Sequence, residues 1–141
     1  MTRDDAVALL KRHEEHFALR DPSALTGDYT DDAVVISPMF PRVTGRDAIE
    51  RSFTSLFTIF PDWEIKFQPP VIDGERAMVL CAVRATQMGP FMGVSGSGKR
   101  FEFECVLAFE LANRLIARER RIYDFTGMLI QLGVLRGKPA I

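Results

Sequence analysis

The sequence predicts an α+β domain in which one curved antiparallel sheet wraps around helices placed early in the chain. Three observations carry that prediction. Two long runs between Arg3 and Phe60 place apolar residues at helical spacing. From Trp63 onward the pattern changes to strands, most clearly where Phe101, Phe103, Cys105, Leu107 and Phe109 alternate with Glu102, Glu104, Val106, Ala108 and Glu110. A last run, Thr126 to Val134, returns to helix. With 141 residues the chain suffices for one domain, residues 1–141, with a substantial core, and is too short for two ordinary ones.

The first helix is predicted over Arg3 to Leu19. Thr2 and Asp5 have capping-box spacing, Asp4 and Asp5 suit the positive end of the helix dipole, and Ala6, Leu9, Leu10, His13, Phe17 and Leu19 approximate one face. Asp21-Pro22 ends it, because proline disfavours helix in the residue before it. A further helical turn is expected at Pro22 to Thr26. Ala33 to Ser37 is a β-branched strand, followed by a loop through Met39 to Val43. Thr44-Gly-Arg-Asp47 repeats the capping-box pattern and opens a second long helix with the face Ile49, Phe53, Leu56, Phe57 and Phe60, closed by Pro61.

Trp63 to Val71 reads as a strand broken by Pro69-Pro70, and Asp73-Gly74 as a tight turn. Arg76 to Gln87 is a nearly continuous apolar strand, and Gly89 to Gly98 a glycine-rich loop. Ala112-Asn-Arg114 turns the alternating strand back into a final one, Ile116 to Phe125, which runs into the terminal helix.

Composition narrows the function classes. Hydrophobic residues make up 47%, and eleven Phe against two Tyr and one Trp favour a large apolar interior, solid or enclosing a hydrophobic ligand. The net charge of −1 and the lack of like-charge runs speak against nucleic acid or an acidic membrane surface as partner. The opening Met-Thr-Arg-Asp-Asp has no apolar signal region and no stretch approaches a membrane span, so a cytoplasmic location is expected, with Cys81 and Cys105 as reduced, buried thiols.

Several chemical motifs can be weighed. Gly93 to Lys99 has the spacing of a phosphate-binding loop, but Arg100 stands where Ser or Thr is needed and a strand follows instead of a helix. His13 and His16 lie three apart, not four as in HExxH, and are the only histidines, so no metal is expected. No nucleophile motif is present. Arg84, Arg118 and Arg120 read as strand arginines facing solvent or acids such as Glu102, Glu104 and Glu110. Asp124 falls where strand becomes helix, beside Ile122, Tyr123, Phe125, Met128 and Leu129. In apolar company a carboxyl is desolvated and suited to proton transfer. An aspartate just before Thr126-Gly-Met also suits a helix N-cap, and the two readings stand side by side.

From Ile116 onward the residues resemble the end of the SnoaL-like polyketide cyclases, in the nuclear transport factor 2-like superfamily. The likeness rests on Tyr123-Asp124-Phe125, Gly127-Met-Leu129 and Gln131-Leu-Gly133. Asp31 to Val35, Pro38, Gly45 to Ile49, Phe60-Pro-Asp62, Gly74-Glu-Arg76, the loop near Gly93 and Gly98-Lys99 follow in family order. The resemblance implies a cone-shaped sheet of cystatin-like topology with a hydrophobic cavity, and a homodimer formed through the sheet. It implies a cofactor-free enzyme that closes rings by an intramolecular aldol reaction or shifts a proton, with Asp124 as the acid/base. Where family members carry Gly-Thr-His-Thr-Gly, this chain has Ala85-Thr-Gln-Met-Gly89, so Gln87 replaces a histidine. The expected ligand is a hydrophobic polyketide- or steroid-like carbonyl compound. Gln87, Tyr123 and Arg84 would be its polar contacts, and Phe17, Phe53, Phe57, Phe103 and Cys105 its apolar wall. The alternative is a non-catalytic binding or protein-interaction domain of the same fold, with Asp124 as a cap.

Overall fold

The computed structural model describes residues 1–137. Helix α1 (Arg3–Leu19) begins with the predicted capping box: the Thr2 hydroxyl accepts from the Asp5 amide at 3.1 Å, and the Asp5 carboxylate accepts from the Thr2 amide at 3.0 Å. Its buried face is Ala6, Leu9, Leu10, His13 and Phe17. Arg20, in the left-handed conformation, closes it, and α2 (Pro22–Thr26) follows, with the Asp21 carboxylate accepting from the amides of Ser23 and Ala24.

Strand β1 (Tyr29–Ile36) starts four residues before the predicted Ala33. The exposed Asp31 and Asp32 hide that extension from a reading by apolar pattern. Val43 and Thr44 form a two-residue strand β2 antiparallel to Val34 and Val35. This pairing removes the second capping box. Thr44 is held in the sheet, the Gly45 amide donates to Ala33 O at 2.8 Å, and helix α3 (Arg46–Ile59) starts without a side-chain cap from Gly45 at φ 86°. Its buried residues are Ile49, Phe53 and Leu56.

Strands β3 (Glu64–Phe67) and β4 (Val71–Asp73) are the two halves of the proline-broken segment, and both pair with β5 (Arg76–Thr86). Strand β6 (Arg100–Ala112) and β7 (Leu115–Tyr123) form a hairpin whose turn residues Asn113 and Arg114 both have positive φ. Helix α4 (Phe125–Gln131) completes the order. The sheet runs β2-β1-β7-β6-β5-β3, with β4 beside β5. Its expected all-antiparallel character fails at one seam, because β7 lies parallel to β1. More than half of the chain separates those two strands, so either direction is open to them, and local patterning reports only on neighbours in the chain.

On β5 alternate residues are buried from Ala77 to Ala85, and on β6 from Phe101 to Leu111 with Phe103 half-buried, and α1 and α3 supply the opposing layer. No helix among the described residues is long and apolar enough to cross a membrane.

Candidate functional site

The inner face of β7 is set by one extra residue. Glu110 of β6 pairs with Arg118, but Leu111 pairs with Ile116, so Ala117 is unpaired and forms a β-bulge. Ile116 therefore faces inward together with Glu119, Arg121 and Tyr123, while Arg120 and Ile122 are exposed. A straight strand would have turned Arg118, Arg120 and Ile122 inward after Ile116.

Those inward side chains join a polar chain through the core. Asp28, at the corner between α2 and β1, is 1% exposed and accepts from His13 Nδ1 at 2.8 Å, His16 Nδ1 at 2.7 Å and Arg12 Nε at 2.8 Å. His13 Nε2 lies 3.5 Å from the Tyr29 hydroxyl, which donates to Glu119. Arg121 Nε donates to the other Glu119 oxygen at 2.6 Å, and its guanidinium carbon sits 5.3 Å from the centre of the Phe53 ring. Burial alone would raise the Glu119 carboxyl, but Arg121, His13 and Tyr29 hold it below the ordinary glutamate range. Burial is likewise outweighed at Asp28 by His13, Arg12 and His16. Burial and the Glu119 charge push the Tyr29 phenol well up, so it stays a donor.

Arg121 forms one wall of a small cavity between the helices and the sheet. Apolar groups from Phe17 of α1, Leu56 of α3 and Val83, Phe103 and Leu107 of the sheet enclose it, and half-buried Met39 and Phe40 cover it from the loop after β1. Phe103 and Tyr123 form a flat panel there, stacked at 4.4 Å and 7°. The volume is about 30 Å³, room for about two waters. A larger space of about 440 Å³ on the sheet is open and edged by Glu64, Lys66, Arg84, Glu102 and Glu104, a solvated setting.

Two lining residues carry buried donors with no partner among the described residues: Arg121 Nη2 and Trp63 Nε1. Buried polar hydrogens left unpaired are uncommon and costly. The remaining polar lining is also protonated near neutral pH. Burial pushes the Tyr123 phenol up to about 12 and the Cys105 thiol up to about 12, and the Ser37 hydroxyl is engaged with the backbone of Phe40. The cavity thus offers donors to a ligand rich in acceptors.

The predicted site residues are only partly brought together here. Phe17, Phe103, Cys105 and Tyr123 line the cavity. Phe53 is buried beneath Arg121, and Phe57 stacks on Phe53 behind it, so both support the wall without lining it. Arg84 is on the outer face, paired with Glu64 at 2.5 Å, because alternation along β5 turns Val83 and Ala85 inward instead. Gln87 is buried but turned away: its amide donates to the carbonyls of Gly89, Val94 and Ser95 and pins the glycine-rich loop. Asp124 is exposed, and its carboxylate accepts from the Gly127 amide at 2.9 Å. The expected desolvation is absent because outward-facing Ile122 and the start of α4 leave Asp124 at the surface, where it acts as the N-cap. Sequence reasoning missed Asp28, Tyr29, Glu119, Arg121 and Trp63. The available signals were the unexplained acidic Glu119 between arginines and the single tryptophan.

A curved sheet closing over two helices around a small hollow is the architecture of the nuclear transport factor 2-like proteins, and known structures share it. A candidate SnoaL-like polyketide cyclase from Jannaschia sp. CCS1 superposes with a TM-score of 0.84 at 20% identity, covering 94% of each chain. AclR, a candidate hydroxylase from Streptomyces galilaeus, gives 0.83 at 21% identity, covering 99% of this chain and 87% of that one. IdmH, a candidate polyketide cyclase from Streptomyces antibioticus, gives 0.75 at 25% identity over 90% of this chain and 97% of that one. No curated protein matches the sequence. Residues 7–132 match the SnoaL-like polyketide cyclase family, and the chain belongs to that family.

Proposed function

We propose that the protein is a cyclase-type enzyme acting on a hydrophobic carbonyl compound, by aldol ring closure, with an enolate or alkoxide oxygen held by Arg121 and Trp63. The observation that carries this reading is that two residues lining one apolar cavity, Arg121 and Trp63, each carry a buried, unpartnered donor. Donors fixed in place in a low-dielectric site stabilise negative charge as it develops and need no reorganisation at the moment of reaction. Family membership supports the reaction class, as does the likeness to IdmH. Ring closure of this kind moves protons and electron pairs within the substrate and calls on no cofactor. Asp124 is assigned here to capping α4, and charge stabilisation to Arg121 and Trp63. A ring-sized ligand needs more room than the cavity offers, so Met39 and Phe40 must swing aside for it.

The test is conversion of a panel of aromatic and alicyclic polycarbonyl compounds, followed by chromatography and mass spectrometry for products of equal mass or of mass less one water. Trp63→Phe keeps an aromatic side chain but removes the pyrrole ring with its N–H, and is expected to lower kcat about 10²–10³-fold. Unchanged turnover in that variant would remove Trp63 from the mechanism, and lack of any conversion by the wild type would refute the enzyme reading. The smallness of the cavity and the exposed Asp124 favour a second reading, a binding domain without turnover, which expects saturable binding and no product.

We also propose a homodimer through the outer face of the sheet. Leu80, Val106 and Ile122 lie in one cross-strand row there, and Leu80 and Ile122 are exposed.

A further inference from the structure

The residues lining the cavity carry two unpaired donors and no charged group to receive a proton. Its lining, among the described residues, contains no carboxylate and no imidazole. Glu119 lies behind Arg121, and both of its oxygens are engaged, one by Tyr29 and one by Arg121. Tyr29 has its proton directed at Glu119, and His13 directs its Nδ1 proton at Asp28. The hydrogens on the Tyr29 hydroxyl, His13 Nδ1 and Arg121 Nε thus all run toward the carboxylates of Glu119 and Asp28. A carbon acid that entered as the neutral ketone would find no base in the enclosed space.

The same chain fixes what the ligand must offer. Glu119 holds Arg121 through Nε, and Phe53 supports the face of the guanidinium, so the group cannot fold back to satisfy its own Nη2. A neutral carbonyl would give that donor an ordinary hydrogen bond, whereas an oxyanion gives a charge-assisted one of roughly twice the strength. The Phe103–Tyr123 panel suits a flat, conjugated partner.

We propose that this site takes its ligand as a preformed oxyanion, the planar enolate of a 1,3-dicarbonyl or similar vinylogous acid, with one oxygen on Arg121 Nη2 and Trp63 Nε1. The proposal rests on the reading of the site given above and names its substrate class. The acidic proton leaves to bulk solvent before binding, and the electron pair stays spread over the O–C–C–C–O unit. Ionisation is then a property of the substrate, and the protein's part is to select the ionised form and hold its charge.

Trp63 is the only tryptophan in the chain, so its indole N–H gives one resonance in a ¹H–¹⁵N spectrum and reports on this site alone. The probes are 1,3-cyclohexanedione, largely ionised at neutral pH, and cyclohexanone, which stays neutral. The dione is expected to shift the indole resonance saturably and to bind at least about tenfold more tightly than cyclohexanone, as a charge-assisted bond over a neutral one requires. Its affinity should fall as pH is lowered through the dione's own ionisation. Arg121→Met, if its thermal melt shows a folded protein, should lose the preference; the wild-type pH series decides the matter without it. Equal binding of both probes, or affinity that follows the neutral enol, overturns the proposal and leaves the carbonyl-binding reading standing. If neither probe moves the indole resonance, both fall.

Discussion

Glu119→Gln tests the buried network most directly, because it removes one charge and almost no volume. In the wild type Glu119 is 0% exposed and is, among the described residues, the sole anionic partner of Arg121, at 2.6 Å. The variant keeps a polar group against the Tyr29 hydroxyl and leaves the guanidinium buried without a counter-charge. Breaking a buried pair by neutralising one partner costs about 3–5 kcal/mol, a large share of the roughly 5–15 kcal/mol by which a domain of this kind is stable. At about 2–4 °C per kcal/mol for a chain somewhat longer than this one, the melting temperature at pH 7 should fall by about 10 °C or more. Circular dichroism melts of the single variant and of Glu119→Gln/Arg121→Met provide the assay. The double variant should recover most of the loss, since an uncharged pair of similar volume is often neutral or stabilising.

The pH dependence follows with its sign. Glu119 and Asp28 both lie below their ordinary values in the folded state. Their contribution to stability is therefore fully present above the unfolded carboxyl range of about 3.9–4.3 and is lost as pH falls through the lower folded values. The wild type should lose stability steeply below about pH 4, and Glu119→Gln less steeply. A single variant melting within about 2 °C of the wild type, with an unchanged acid slope, would refute the burial and pairing described for Arg121.

Two further outcomes are expected. Asp124→Asn should change stability by only a few tenths of a kcal/mol and Asp124→Ala by about 1 kcal/mol, as a helix cap requires, with ligand binding at Trp63 unaltered; loss of binding or turnover in the asparagine variant would return Asp124 to the site. Ile122→Lys should convert a dimer to a monomer in sedimentation without changing the melt of the monomer fold, and a wild type that sediments as a monomer would remove the outer-face proposal.

Local chemistry made much of the fold readable. The Thr2–Asp5 box, Asp21-Pro22, the proline break after Phe67 and the alternation of β6 each act within a few residues, and the elements lie close to where those signals put them. The apolar lining at Phe17, Phe103 and Cys105 follows from the same periodicities. The polar heart of the molecule was not readable, because its partners meet only in three dimensions: His13 and Asp28 are 15 residues apart, and Tyr29 and Glu119 are 90 apart. Asp124 is the converse case, where the cap is formed and the expected enclosure is not. Its apolar neighbours in sequence belong to a strand end and a helix start that point away from it, so adjacency along the chain did not mean enclosure in space.

The bulge at Ala117 gives β7 two alternative identities separated by one residue. Glu119, Arg121 and Tyr123 would make poor core residues by composition, and Ile122 a good one, yet the unpaired alanine assigns them the opposite sides. What matters at position 117 is therefore that its residue stays out of the ladder, more than the nature of its side chain. Exchanging the half-buried alanine for another small residue leaves the strand in phase, and deleting it would join Ile116 directly to Arg118 opposite Leu111 and Glu110, with Glu119, Arg121 and Tyr123 still inward. Only a pairing that took Ala117 into the ladder would turn Arg118, Arg120 and Ile122 to the core. The chemistry of the cavity is in this sense written in backbone register first and in side chains second.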